Sequence, residues 1–186
     1  MKVCINCVMD ETDPKIKFDF KGLCNHCSNY YKNIEPIWKN DGKKENQIKD
    51  LANKIKNENK HENFDCILGI SGGVDSSYLA YYAKEILGLN PLIYHVDAGW
   101  NSELAVSNID KIISGLDLEL YTEVINWKEM QDLQLSYFKS GVPCLDTPQD
   151  HVFFASMYNF AKKNNIKYIL NGGNYSTECI REPLEW

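Results

Sequence analysis

The sequence predicts an α/β fold, a doubly wound parallel sheet preceded by a small cysteine-rich module. Three observations carry the prediction. From residue 64 onward, short apolar runs alternate with stretches of helical periodicity. A loop rich in glycine and serine closes the first of those runs. Four of the seven cysteines fall within the first 33 residues, as two Cys-x-x-Cys pairs.

Taken in order, residues 1–33 hold few aliphatic side chains and several turn formers, including Asp13-Pro14 and Lys21-Gly22, and are too short to build a core unaided. Residues 34–63 are rich in lysine and asparagine, yet Ile48, Leu51, Ala52 and Ile55 recur at helical spacing. That pattern predicts a solvated amphipathic helix over 45–58, a helical connector packed by one stripe. Residues 64–186 form the α/β domain. A strand over 64–70 runs into the glycine-rich loop, and Val74, Tyr78, Leu79, Tyr82 and Ile86 then mark a helix that ends at Gly88. A strand over 91–96, a helix over 103–114 and a strand over 118–124 follow. Two helices over 127–139 and 149–164 and a strand over 167–170 complete the pattern, which implies a parallel sheet covered on both faces. Doubly wound sheets commonly have about five strands or more, so a domain with four is expected to be truncated at its C-terminus.

Composition narrows the class. Of 186 residues, 44% are hydrophobic and 25% charged, which excludes fibrous and disordered chains. No run of about 18 apolar residues exists, and the N-terminus carries cysteines where a signal peptide needs an apolar stretch. These features point to a soluble, cytoplasmic protein with no membrane partner. The net charge is −6 and Arg181 is the single arginine, which argues against a nucleic-acid partner. An odd number of cysteines without an export signal argues for metal or thiol chemistry rather than a disulfide framework.

Cys4-x-x-Cys7 and Cys24-x-x-Cys27 are separated by sixteen residues, a spacing at which two tight turns present four thiolates to one zinc ion. The expected result is a zinc ribbon-like module over 1–33, folded by the metal in place of a core. A redox role would require a Cys-x-x-Cys beside a βαβ unit, and both pairs precede the first such unit. His26 lies inside the second pair and reads as an exposed neighbour.

Ser71-Gly72-Gly73-Val74-Asp75-Ser76-Ser77 occupies the strand-to-helix junction, where backbone amides and the helix dipole converge on an anion. Two glycines allow close approach to phosphate oxygens, and Ser71, Ser76 and Ser77 add hydroxyl donors. A carboxylate in such a loop fits a bridging divalent cation, so Asp75 is assigned to Mg²⁺ and the loop to ATP. Neither a Walker A loop nor G-x-G-x-x-G is present. Gly69-Ile70-Ser71-Gly72-Gly73 matches the G-x-S-x-G nucleophile elbow, but hydrolases of that type have several strands before the serine.

The loop resembles the pyrophosphate loop of the N-type ATP pyrophosphatases, the adenine nucleotide alpha hydrolase-like or PP-loop group. Within that group further motifs are similar to those of the N-acetyl sugar amidotransferases. They are Cys4-x-x-Cys7-Val8-Met9-Asp10, Phe18-Asp19, Gly22-x-Cys24-Asn25-x-Cys27, Pro148-Gln149-Asp150-His151, and Gly172-Gly173-Asn174 before Thr177-Glu178. The resemblance implies an AMP-forming, ATP-dependent amidotransferase that adenylates the acetamido oxygen of an N-acetylated nucleotide sugar. Ammonia from a glutaminase partner would then attack, giving an acetamidino sugar for surface lipopolysaccharide or flagellar glycan. Asp75, Ser71 and Ser77 would act on the departing pyrophosphate.

Topology adds weaker candidates. Ligands sit at the carboxyl ends of the strands in open α/β sheets, which points to Asp97 with Gly99, and to Gly172 and Gly173. Asp97 fits a ribose, metal or substrate role as well as a turn role. Asp150, His151, Asn174, Thr177 and Glu178 are substrate candidates, although Asp150 also suits the first turn of a helix and His151 a surface position. Cys144 and Cys179 carry an alternative, tRNA thiolation on the same loop. A nucleotide-binding subunit or fragment without turnover is a second alternative. Cys66 reads as core.

Overall fold

The computed structural model describes residues 1–38, 44–142 and 144–173. The described residues form two compact units, one up to residue 45 and one over residues 46–173.

In the first unit, Val3 pairs with Asp10 and Phe18 with Cys24 as isolated antiparallel bridges; the first closes a turn around Cys4 and Cys7, and the second closes the turn that leads into Cys24. Helix α1 (Asn25–Asn29) starts at Cys24, whose sulfur accepts from the Cys27 amide, and a wider helical turn leads to α2 (Glu35–Trp38). Cys4, Cys24 and Cys27 are buried with Ile16, Phe18 and Leu23 packed around them. The cluster is too small to be a core without a further ligand.

The second unit alternates helix and strand from α3 (Lys44–Glu58) to β1 (Cys66–Gly69), α4 (Val74–Tyr81), β2 (Pro91–Asp97) and α5 (Glu103–Leu116). It continues through β3 (Glu119–Val124), α6 (Trp127–Ser140) and α7 (Thr147–Lys163) to β4 (Ile169–Leu170). All pairings are parallel and the strand order is β3-β2-β1-β4. The order runs outward from β1 to β3 and then returns to the other side of β1, so the switch point lies between β1 and β4.

Strand side chains alternate between two cores. Cys66, Leu68 and Ile93 face Ala52 and Ile55 of α3, Ala80 of α4 and Ile109 of α5. Ile67, Tyr94 and Val96 face Met157 and Ala161 of α7. Ile67, Leu68 and Ile93 are completely buried, each stabilising the fold by about 1.5–3 kcal/mol. Burial holds the Cys66 thiol up at about 12, so it is an inert core group as its place in the strand predicts.

Two expectations shift. The buried stripe of α3 is Ala52 and Ile55, continued by Asn59 just past its end, while Ile48 and Leu51 stay exposed, because the helix meets the sheet only along its C-terminal half. β3 is an edge strand whose residues are mostly exposed rather than covered on both faces. Tyr121 packs inward, stacked on Tyr94 with ring centres 5.5 Å apart and tilted against Phe160 at 4.5 Å. Its charged Glu119 and Glu123 discourage further strand pairing. Among the described residues no helix is long and apolar enough to cross a membrane.

Candidate functional site

Residues 71–77 leave β1 at the switch point and open α4, with Gly73 in extended geometry as the N-cap. Gly72 has φ +76°, and a Cβ there would run into the Ala105 carbonyl in the first turn of α5. Glycine is therefore required twice over, by conformation and by contact. The amides opening α4 have no intrahelical acceptor and are available to an anion.

The loop's carbonyls are held back from that anion by side-chain donors. Ile70 O accepts from His95 Nδ1 at 3.0 Å, Gly72 O from Asn108 Nδ2 at 3.1 Å, and Gly73 O from Ser77 Oγ at 2.7 Å and Ser76 Oγ at 3.3 Å. Ser71 Oγ lies 3.2 Å from Ser76 Oγ and accepts from the Gly73 amide. The serines thus shape the loop first. A loop whose Ile70, Gly72 and Gly73 carbonyls are engaged, leading into the Val74, Asp75 and Ser76 amides that open α4, presents positive potential, which suits phosphate. His95, the buried histidine of this region, bonds Ile70 and Asn101 and not Ser71, so it is not the base that a nucleophile elbow would need.

Asp75 lies exposed in the first turn of α4, and its carboxylate makes no hydrogen bond or ion pair among the described residues. That leaves it open to a cation. Val74 is 78% exposed beside it. Gly172, in the loop after β4, comes so near α4 that a Cβ would lie 3.3 Å from the Asp75 carbonyl carbon and the Ser76 nitrogen. The structure therefore joins Gly172 to the phosphate loop across the switch point. Gly173 follows, its amide bonded to Asn171 Oδ1 at 3.0 Å. Asp97 ends β2 and accepts from the Gly99 amide at 2.9 Å, a turn role that occupies one of its two oxygens.

Asp150 and His151 are exposed in the first turn of α7, with the Asp150 amide bonded to Asp146 O. Partial desolvation, and then the charge of Asp146, hold the Asp150 carboxyl above the usual carboxylate range. Cys144 is half-buried just before that helix. Asn174, Thr177, Glu178 and Cys179 lie outside the described residues.

In the first unit, the sulfurs of Cys4, Cys7, Cys24 and Cys27 all lie within 4.8 Å of one another. Cys4 and Cys27 sulfurs are 3.9 Å apart, and those of Cys7 and Cys24 3.7 Å. Ligands at about 2.3 Å from a tetrahedral zinc are about 3.8 Å apart, so the spacing fits. Burial disfavours the Cys4 thiolate, but amide donors led by Asn6 and Cys24 outweigh it and hold the thiol at about 6. Cys7 receives a backbone bond from Met9 that favours its thiolate, yet desolvation and the other three sulfurs push it up to about 12. Four neighbouring thiols cannot all ionise alone, which is the electrostatic condition a dication relieves. His26 stands outside the set, 2.8 Å from Asp13.

Residues 46–132, just under half of the chain, match the family model described as NAD synthase. Two solved structures share the fold. They are NMN synthetase from Francisella tularensis (TM-score 0.51, 20% identity, 68% of this chain and 52% of that one) and glutamine-dependent NAD⁺ synthetase from Acinetobacter baumannii in complex with ADP (TM-score 0.52, 18% identity, 68% and 25%). The α/β unit has the PP-loop ATP pyrophosphatase fold. Among curated proteins, tRNA-specific 2-thiouridylase MnmA 2 from Fusobacterium nucleatum subsp. nucleatum is 30% identical over 123 residues, covering 60% of this chain. The chain spans about a third, 34%, of the length of that relative.

Sequence reasoning missed His95, Asn101 and Asn108. The signal for His95 was present: it is the polar residue within the apolar β2 run, and a buried polar group must find partners. The contact of Gly72 generates a prediction. Gly72→Ala should destabilise the unit by about 1–3 kcal/mol, whereas Gly73→Ala, at φ −80°, should cost about 1 kcal/mol or less. Thermal unfolding of both variants checks the contrast.

Proposed function

We propose that this protein is an ATP-dependent, AMP-forming amidotransferase that converts the acetamido group of an N-acetylated nucleotide sugar to an acetamidino group. The observation that supports ATP use is the loop 71–77, with its carbonyls tied back and Gly172 packed against it at the switch point. Similarity to NAD synthases over residues 46–132 supports an ATP-using enzyme. The acceptor class rests on the motifs shared with N-acetyl sugar amidotransferases.

In this reading the acetamido oxygen attacks the α-phosphorus of ATP and pyrophosphate leaves. Ammonia then attacks the imidate carbon, and the C–O bond breaks to release AMP and leave the amidine. The free amides of α4 and the Ser71 hydroxyl would bind the departing pyrophosphate and hold the reacting phosphorus in place, while the Ser76 and Ser77 hydroxyls stay on the Gly73 carbonyl. Asp75 would hold Mg²⁺, which supplies charge neutralisation on the polyphosphate. A glutaminase partner would supply ammonia in the cytoplasm. The four cysteines would hold zinc in a closed site with a folding role only.

A tRNA-thiolation reading is favoured by one observation, the 30% identity to a tRNA 2-thiouridylase. It would employ Cys144 and Cys179. The net charge of −6 and the single arginine weigh against it.

Two experiments test this proposal. Metal analysis should find about one zinc per chain, and Cys4→Ser or Cys24→Ser should release it. Metal-free folded protein, or iron in place of zinc, contradicts the assignment. With ATP, ammonium ions and a diacetamido nucleotide sugar, the wild type should release AMP and pyrophosphate. Asp75→Asn should lower that turnover by a factor on the order of 100 or more. Turnover only with tRNA and a sulfur donor would move the function to thiolation, and turnover with neither would contradict both readings.

A further inference from the structure

His95 lies in the middle of β2, where the pleat places it on the same face as Ile93, towards α5. It is buried, and both ring nitrogens are engaged. Nδ1 lies 3.0 Å from Ile70 O, and Nε2 lies 3.0 Å from Asn101 Nδ2. A carbonyl oxygen only accepts and an amide nitrogen only donates, so Nδ1 carries the proton and Nε2 accepts.

The two partners belong to different functional segments. Ile70 is the residue at which β1 gives way to the phosphate loop: its amide makes a final bond to Tyr94 O at 3.0 Å, and its carbonyl is taken by His95. Asn101 lies in the segment 98–101, which joins Asp97 to Ser102, the N-cap of α5. That N-cap accepts from the Ala105 amide at 3.1 Å, and Ala105 is the residue against which Gly72 rests. Asn108, one turn further on, donates to Gly72 O. The imidazole thus bridges the two ends of a closed circuit formed by β1, the phosphate loop, the first turns of α5, and the segment back to β2.

We propose that His95, as its neutral Nδ1–H tautomer, is a positioning residue that clamps the start of the phosphate loop to the β2–α5 segment. Its donor half keeps the Ile70 carbonyl turned away from the anion position. Its acceptor half holds Asn101, and through it the start of α5 that backs Gly72. Neither ring nitrogen is available to a substrate, so the residue acts through the loop and not on the reacting atoms.

The clamp itself is independent of any ligand, and its effect on nucleotide affinity rests on the proposed use of the loop. Asparagine places an amide N–H where the imidazole Nδ1 stands and has nothing at the Nε2 position, so His95→Asn separates the two halves. Amide hydrogen exchange is read at Ser71 and Ser77 for the loop and at Gly99 and Ala105 for the β2–α5 segment. His95→Leu should speed exchange about tenfold in both segments. His95→Asn should restore Ser71 and Ser77 to the wild-type rate while leaving Gly99 and Ala105 fast. Asn101→Ala, at an exposed position, should speed Gly99 and Ala105 alone, and it carries the test if His95→Leu fails to fold. Titration with Mg-ATP should give about tenfold weaker binding for His95→Leu and near wild-type binding for His95→Asn. Wild-type exchange at Gly99 and Ala105 in Asn101→Ala, or fast exchange at Ser71 in His95→Asn, overturns the clamp. Wild-type protein that binds no Mg-ATP overturns the functional reading and leaves the exchange result to decide the clamp.

Discussion

Three side chains from outside the phosphate loop's own turn or from its far end, His95, Asn108 and Ser77, donate hydrogen bonds to the carbonyls of Ile70, Gly72 and Gly73. The Gly73 carbonyl is also held by the Ser77 amide at 3.1 Å, but without His95 and Asn108 the Ile70 and Gly72 carbonyl dipoles would be free to turn towards the anion position and oppose the field of the α4 amides. With them, the loop shows one polarity. This interaction decides what the carboxyl end of the sheet can bind, because the charged side chain described at the loop itself, Asp75, is negative. Asp75 adds a carboxylate, and the net charge of the chain is −6. An anion is therefore held by local backbone geometry and a bridging cation rather than by the global field.

The fold supplies that geometry. The order β3-β2-β1-β4 puts the carboxyl ends of β1 and β4 side by side, so two glycine-bearing loops meet there. The positive φ at Gly72 lets the first turn of α5 close against the loop, and Gly172 closes against the start of α4 from the other side. The opposite edge of the sheet has a different character. A cavity of about 180 Å³ lies among Asn59, Asn63, Phe64, Leu92, Phe160 and Asn164 near the amino ends of β1 and β2, away from the dipoles that favour phosphate.

Much of this was legible in the sequence, and the reasons differ by element. The strand-loop-helix at 64–88 was readable because apolar period, glycines and helical spacing all change within a few residues. The cysteine cluster was readable because metal geometry fixes ligand spacing tightly, and the sulfurs converge as their spacing implies. The exposed side of β3 was not readable: Leu120 and Val124 carry a strand signal, but exposure is set by which helices cover the edge. Nor were the donors to the loop carbonyls readable. Asn108 lies 36 residues from Gly72, whose carbonyl it meets, and Asn101 acts on the loop only through His95; neither follows a local pattern. His95 stood out only as a polar residue in an apolar run. Asn174, Thr177, Glu178 and Cys179 remain sequence candidates alone.

The measurement that tests the central claim most directly is a backbone amide chemical-shift map on addition of magnesium pyrophosphate. The account predicts that the largest changes fall on Val74, Asp75 and Ser76, with a second group at Gly172 and Gly173 across the switch point. Changes centred instead on Asn59, Phe64 and Asn164 at the opposite edge, or no changes at residues 71–77, would contradict it.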